Sequence, residues 1–284
     1  MTIETPPFSR LPLRNGDPKF SAWGRWGPTD EIGTLNLLTA EVISEASKEI
    51  VSGNTVTLNI NTQGSSHWDG LRHYPYQDTL QFYNGASQDD ISGPSANQRI
   101  GIQTSRGITG RGVLLDWAFY AKEKGLAYSP FDAFAITLAQ LLEVAQLQKT
   151  TFRPGDILFV RTGWVEAYQK LSMEERGALP YRQIRSSCGV EASEEAIQWH
   201  WDNQFAAVAS DTVAYEAWPS PRKSGVSMHE VFLSGWGMPI GESFDLELLA
   251  ERCRDVGRWS FFLVSVPLNI SRGVASPPNA IAIL

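Results

Sequence analysis

The sequence is short of the residues that would staple, anchor or strongly charge it. It has two cysteines in 284 residues, Cys188 and Cys253, and they form no C-x-x-C pattern. That excludes a disulfide scaffold and leads to the expectation of free thiols in a reducing compartment. Basic residues are in deficit, 24 Lys and Arg against 31 Asp and Glu, for a formal net charge of −7. Nucleic acids and anionic membranes both need a basic footprint, so neither is an expected partner. No run of about 18 apolar residues is present, which argues against a membrane-spanning helix. Met1 to Arg10 lacks the apolar core of a secretory signal, so a cytoplasmic location is expected. Histidine is also scarce, with four copies.

What remains is an ordinary globular composition, 42% hydrophobic and 19% charged, in a chain long enough to bury a core unaided. Tryptophan is abundant at ten copies, which serves packing by default and can also wall a pocket for a flat ligand.

Residues 1–22 carry Pro6, Pro7, Pro12 and Pro18 and read as an extended arm, lying on the body or on a neighbouring subunit. Residues 23–284 show no repeat and no composition break, so one α/β domain with a mixed β-sheet packed by helices is expected. Thr39 suits the N-cap of a helix running to about Ile50, with Gly53 as its stop. Thr55 to Asn61 alternates as a half-buried strand should. Residues 84–105, rich in Ser, Gln, Asn, Asp and Gly, read as a long surface loop or lid. A strand is expected over 112–116, a helix over 132–148 and a strand over 157–160. Further helices are expected from about 164, around 193–203, and over 246–256 with Asp245 as N-cap. Strands over 205–209, 259–266 and 280–284 complete the reading.

One stretch, Gln63 to His73, concentrates the chemistry. It holds two of the four histidines, His67 and His73, with Asp69 between them. In extended chain residues i and i+2 share a face, so His67 and Asp69 can aim a nitrogen and a carboxylate oxygen at one point. Gly70 then allows a bend that returns His73 toward it. Imidazole plus carboxylate suits zinc, manganese or iron; the plain alternative is a polar surface loop.

The same stretch resembles the H-x-G-T-H-x-D-x-P-x-H signature of the cyclase-like metal hydrolases, a family that includes bacterial kynurenine formamidases and isatin hydrolases. His67, Asp69 and His73 match; Gln63 replaces the first histidine, Ser65-Ser66 the Gly-Thr pair and Leu71 the proline. The resemblance continues in order through Trp26-Gly27-Pro28-Thr29-Asp30-Glu31-Ile32-Gly33-Thr34-Leu35-Asn36-Leu37-Leu38, Arg111 to Asp116, Gly155 to Trp164, and the tail from Pro267 to Pro277. It implies the swivelling β/β/α fold of that family and two further metal ligands, which His229 and Glu242 match; Glu230 is the competing carboxylate. His200, in Trp199-His200-Trp201, matches nothing functional and reads as structural.

Carried over residue by residue, the resemblance implies one site of Gln63, His67 and Asp69 and a second of Asp69, His229 and Glu242, holding one or two divalent ions, zinc or manganese. Gln63 offers a neutral carboxamide oxygen, a weaker ligand than imidazole. His73 is the candidate general base, its alternative being a hydrogen bonder that fixes a ligand. Trp26, Trp68, Phe82 and Tyr83 are candidates for an aromatic substrate wall, with Arg72 a partner for a substrate carboxylate, against the alternative that each is packing. The expected function is metal-dependent hydrolysis of a small non-peptide amide, an N-formyl aromatic amine or a cyclic amide. Lactone hydrolysis, a cyclase or dehydratase reaction, and a non-catalytic binding protein are the alternatives. The family resemblance also implies a homodimer or homotetramer.

Overall fold

The computed structural model describes residues 5–49, 55–57, 66–92, 98–268 and 272–284. Eleven strands are seen among them: β1 Thr55–Thr57, β2 His67–Asp69, β3 Ile108–Asp116, β4 Ala135–Ile136, β5 Ile157–Arg161, β6 Gly189–Val190, β7 Ala207–Ser210, β8 Ile240–Glu242, β9 Ser260–Ser265, β10 Ala275–Ser276 and β11 Ala280–Ile283. Nine form one mixed sheet in the order β1-β11-β9-β3-β5-β7-β8-β2-β10; β4 and β6 pair separately. The centre, β3-β5-β7-β8, is parallel, and both flanks are antiparallel.

The apolar central runs have a direct cause. Successive side chains alternate between faces, and here both faces are covered. Leu158 and Val160 of β5 enter one core, with Leu115, Val208 and Phe232. Ile157 and Phe159 enter the other, with Leu114, Phe244 and Phe261. A strand buried on both sides has no polar face to show, so it reads as a continuous run. The N-terminal segment contributes Phe8, Leu11 and Phe20 to the first core.

Helix starts follow their caps. Thr39 accepts from Val42 N–H and opens Ala40–Ala46, which tightens into a 3-10 turn over Ser47–Glu49; Gly53 and the strand residues after Thr57 lie outside the described residues. Ser172 and Glu175 form a capping box. Ser193 caps Glu194–Asp202. The helix expected over 132–148 begins later, at Leu138, because Thr137 and Gln140 make a capping box there while Ala135–Ile136 pair with β6. The strand expected over 112–116 starts earlier, at Ile108, since β9 offers it partners from Ser265 onward. The 84–105 stretch contains a helix at Gln88–Ser92 and a 3-10 turn at Ile102–Ser105. Asp245 accepts from Glu247 N–H at the head of the last helix, Glu247–Val256, one residue ahead of the cap position.

Two glycines fix how the aromatic motif near residue 26 meets the sheet. A Cβ on Gly33 would lie 1.9 Å from Gly237 O, and both residues have positive φ, +57° and +68°. Thr34 N–H donates to Gly237 O, locking this approach just ahead of β8. Asp30 accepts from Gly33 N–H, Asn36 Nδ2 and the Tyr83 hydroxyl, so the motif's acid organises the turn.

Candidate active site

The strand register builds the centre of the site. Across the antiparallel pair β2–β8, His67 stands opposite Glu242. His67 and Asp69 point to one face and Trp68 to the other, as period-2 alternation requires. His67 Nε2 lies 3.0 Å from Asp69 Oδ1 and 3.5 Å from Glu242 Oε2. From the other side His229, at the start of the buried π-helical segment Glu230–Trp236, places Nε2 3.0 Å from Glu242 Oε1 and 3.9 Å from Asp69 Oδ2. His73 follows the bend at Gly70 and brings Nδ1 to 3.5 Å from Asp69 Oδ1. A π-helical turn is uncommon and tends to sit at functional sites, where it re-aims side chains.

Five of the six residues expected here thus converge; Gln63 lies outside the described residues. Their ligand atoms form two overlapping groups, His67-Asp69-Glu242 and Asp69-His73-His229, both using Asp69. Both differ from the implied sets: Glu242 groups with His67 and Asp69, and His73 takes its place beside Asp69 and His229. Glu230 is not part of either. It accepts from Ser227 and from Gln77 N–H and pairs with Arg222.

Asp69 supplies the test of whether a cation fits. It is fully buried, and neither carboxylate oxygen receives a hydrogen bond in proper geometry among the described residues. A buried carboxylate without donors is costly unless a cation faces it. Three imidazole nitrogens surround it instead, His67 Nε2 at 3.0 Å, His73 Nδ1 at 3.5 Å and His229 Nε2 at 3.9 Å. An imidazole and carboxylate donor set of this kind suits zinc or manganese.

The electrostatics agree. Burial pushes the Glu242 carboxyl up, the Asp69 charge adds to it, and the group reaches about 7 despite its contact with His229. Burial works against the charged form of His229, but hydrogen bonds to Glu216 and Glu242 win and raise its pKa well above the ordinary value. Asp69 is pushed up by burial and pulled further down by the three histidines around it. For His73, burial lowers the pKa more than Asp69 raises it.

Glu216 is a residue that spacing in the sequence did not disclose. It is completely buried and its Oε1 receives both His229 Nδ1 at 2.8 Å and His229 N–H at 2.9 Å. An Nδ1–H held by a carboxylate leaves Nε2 with its lone pair free to ligate, an arrangement common behind metal-binding histidines.

The cavity above these groups has a volume of about 1000 Å³. Its aromatic lining is Tyr74, Phe131, Trp164, Tyr168 and Trp218, with His73, His229 and Glu242 at the inner end. None of the five residues expected to contact substrate lines it. Trp68 is fully buried on the opposite face of β2, donating to Ser265 Oγ and packing edge-on against Phe244. Phe82 belongs to the first core, and Tyr83 is fully buried with its hydroxyl on Asp30. Trp26 packs against the second core beneath Arg25. Arg72 is buried and donates to the carbonyls of Asp90 and Ile91, tying down the 88–92 helix. The signal in the sequence that could have found this cavity lining was Trp164, which closes the Arg161-Thr162-Gly163-Trp164 turn. Asp211 accepts from the backbone of Thr162 and Gly163 there, so the turn presents Trp164 at a fixed place.

His200 is structural as expected. Its Nδ1 faces Ala196 O and must carry the proton, so Nε2 accepts from the Tyr215 hydroxyl. Both cysteines are free and buried. Among the described residues no helix is long and apolar enough to cross a membrane.

Comparison with known proteins gives this arrangement a family. A solved structure described as a novel cyclase is 28% identical, superposes with a TM-score of 0.80, and is matched over 93% of this chain and 99% of its own. An isatin hydrolase bound to the product analogue thioisatinate is 16% identical with a TM-score of 0.52, over 80% of this chain and 73% of its own, a likeness of fold. No curated protein matches the sequence. The profile of the family described as "Putative cyclase" matches residues 8–217, and the chain belongs to that family.

Proposed function

We propose that the protein is a metal-dependent hydrolase of a small non-peptide amide carrying an aromatic group, an N-formyl aromatic amine or a cyclic amide. The observation that carries this reading is Asp69, fully buried, with no hydrogen bond to its carboxylate in good geometry among the described residues, and shared by two imidazole–carboxylate groups at the floor of an aromatic-walled cavity.

His67, Asp69, His229 and Glu242 are the residues that would hold a divalent cation, zinc or manganese. When bound it supplies Lewis acidity, lowering the pKa of the attacking water and polarising the carbonyl. The rest falls to the chain. His73 stands at the cavity side of Asp69, the most exposed of the three histidines in the cluster, with its side chain 38% accessible. From there its imidazole takes the proton as water attacks the carbonyl carbon, and returns it to the nitrogen as the C–N bond breaks. An N-formyl aryl amine then leaves as formate and the free amine; a cyclic amide leaves as a ring-opened amino acid. Glu216 holds His229 in the tautomer that ligates. Trp164 and Tyr168, stacked with ring centroids 5.1 Å apart and planes 11° from parallel, form one wall for the aromatic group.

A second reading keeps the same floor and runs ring closure or opening on a lactone. The description of the 28% identical structure as a novel cyclase favours keeping it in view. The deciding experiment is metal analysis of the purified protein followed by turnover of N-formylkynurenine, isatin and an aryl lactone, before and after chelation. The amide reading expects co-purified or restorable Zn²⁺ or Mn²⁺ and turnover of a formamide or isatin. Turnover of the lactone alone would move the assignment to the second reading. Failure to bind either metal would sink both.

A further inference from the structure

The cavity has a charge gradient that the hydrolysis itself does not use. Its acids are Glu242, at the floor, and Asp245; its bases are Arg176, Arg182 and Arg185. Two of these arginines are committed. Arg182 donates to Phe131 O and pairs with Asp132. Arg176 donates to the carbonyls of Tyr168 and Gln169 and lies over the Tyr168 ring. The Arg185 guanidinium makes no hydrogen bond, ion pair or ring contact with the described residues, although it lines the cavity.

A second observation lies two residues on. Ser187 is fully buried, lines the same cavity, and its hydroxyl has no partner among the described residues. It pairs with Trp218 in an antiparallel bridge, and in extended chain residues two apart share a face. A buried hydroxyl without a partner forgoes a hydrogen bond that a ligand can restore. An uncommitted guanidinium offers the planar donor fork that matches a carboxylate.

We propose that Arg185 and the Ser187 hydroxyl form a subsite for a carboxylate carried by the aromatic substrate. The ring then lies between Trp164 and Trp218, and the scissile bond points toward Asp69 and Glu242. The inference rests on the hydrolase reading for the position of the scissile bond, and on Arg185 and Ser187 alone for the anion. Orientation follows from position, because Arg185 and Ser187 lie on the cavity lining apart from the Glu242 floor, where the carbonyl has to sit. Substrates of this class are aryl amides with a free acid group. They would come from an acylation or ring-forming reaction that leaves that acid untouched.

The test uses the metal-loaded protein and two ligand pairs differing in one carboxylate. Binding of 4-aminobenzoate and aniline, read by tryptophan fluorescence, reports the subsite without turnover. Hydrolysis of 4-formamidobenzoate and formanilide reports it during the reaction. The wild type should bind the acid roughly ten-fold tighter than the neutral ring. Arg185→Ala should erase that preference, Arg185→Lys should keep part of it, and Ser187→Ala should weaken the acid without affecting aniline. In hydrolysis the loss should fall on KM for the acid substrate. Equal binding of acid and neutral ring by the wild type, or an unchanged preference in Arg185→Ala, overturns the subsite even if both formamides are hydrolysed. Discrimination in binding with no hydrolysis of either formamide or of isatin would uphold the subsite while the hydrolase reading falls.

Discussion

Glu216 Oε1 and His229 Nδ1 lie 2.8 Å apart in the interior, and this contact decides which nitrogen His229 turns to the site. The carboxylate also receives the backbone N–H groups of Met228 and His229, so it is fixed before any ligand arrives. Glu216→Gln keeps the shape and an acceptor but removes the charge. Metal affinity should fall by roughly ten-fold or more, measured by titrating the apo protein with Zn²⁺ or Mn²⁺. The fold should survive, judged by circular dichroism. Unchanged affinity would mean that Glu216 only packs.

His73 carries two readings that one substitution separates. As the proton carrier, His73→Ala should cost on the order of 10²-fold or more in kcat while bound metal stays near the wild-type amount. As a ligand with Asp69 and His229, the same change should empty or weaken the metal site. Metal content and kcat measured on one preparation decide between them. Retained metal with full activity would remove His73 from both roles.

Trp68 and Trp164 should fail in different ways. Trp68 has no exposed surface and fills the second core, so Trp68→Ala should cost about 3–5 kcal/mol of stability. Trp164 is only partly buried and lines the cavity, so Trp164→Ala should raise KM with a stability change of about 1 kcal/mol. Urea unfolding beside steady-state kinetics checks both. A Trp68 variant of normal stability with a raised KM would restore that residue to the substrate wall.

The buried His200 gives stability a pH dependence. Burial lowers its pKa from 6.5 to about 4. Between those values the unfolded chain binds the extra proton and the folded one does not, so stability rises with pH across that window. The contribution is intact above about 6.5 and is lost as pH falls toward 4. From pH 7.0 to 4.5 the wild type should lose about 2 kcal/mol more than His200→Gln, which has no group to protonate. Equal losses in urea melts at the two pH values would contradict this.

The sequence by itself settled much of this protein, wherever the information is local. The cap at Thr39 names a helix start because its side chain bonds a backbone group three residues on. The alternation of His67, Trp68 and Asp69 already placed the imidazole and carboxylate on one face. It equally placed Trp68 on the other, an implication that the substrate wall expected from the sequence did not respect. Ordered family motifs named His229 and Glu242 far downstream. Only the tertiary structure could set His67 opposite Glu242, since strand order and register come from how the whole sheet packs. Only it could show that the Phe82 and Tyr83 rings fill a core and Trp26 packs against one, while Trp164 and Trp218 line the cavity. An aromatic side chain has the same local signature in either place, and what separates them is which neighbours the folded chain brings around it.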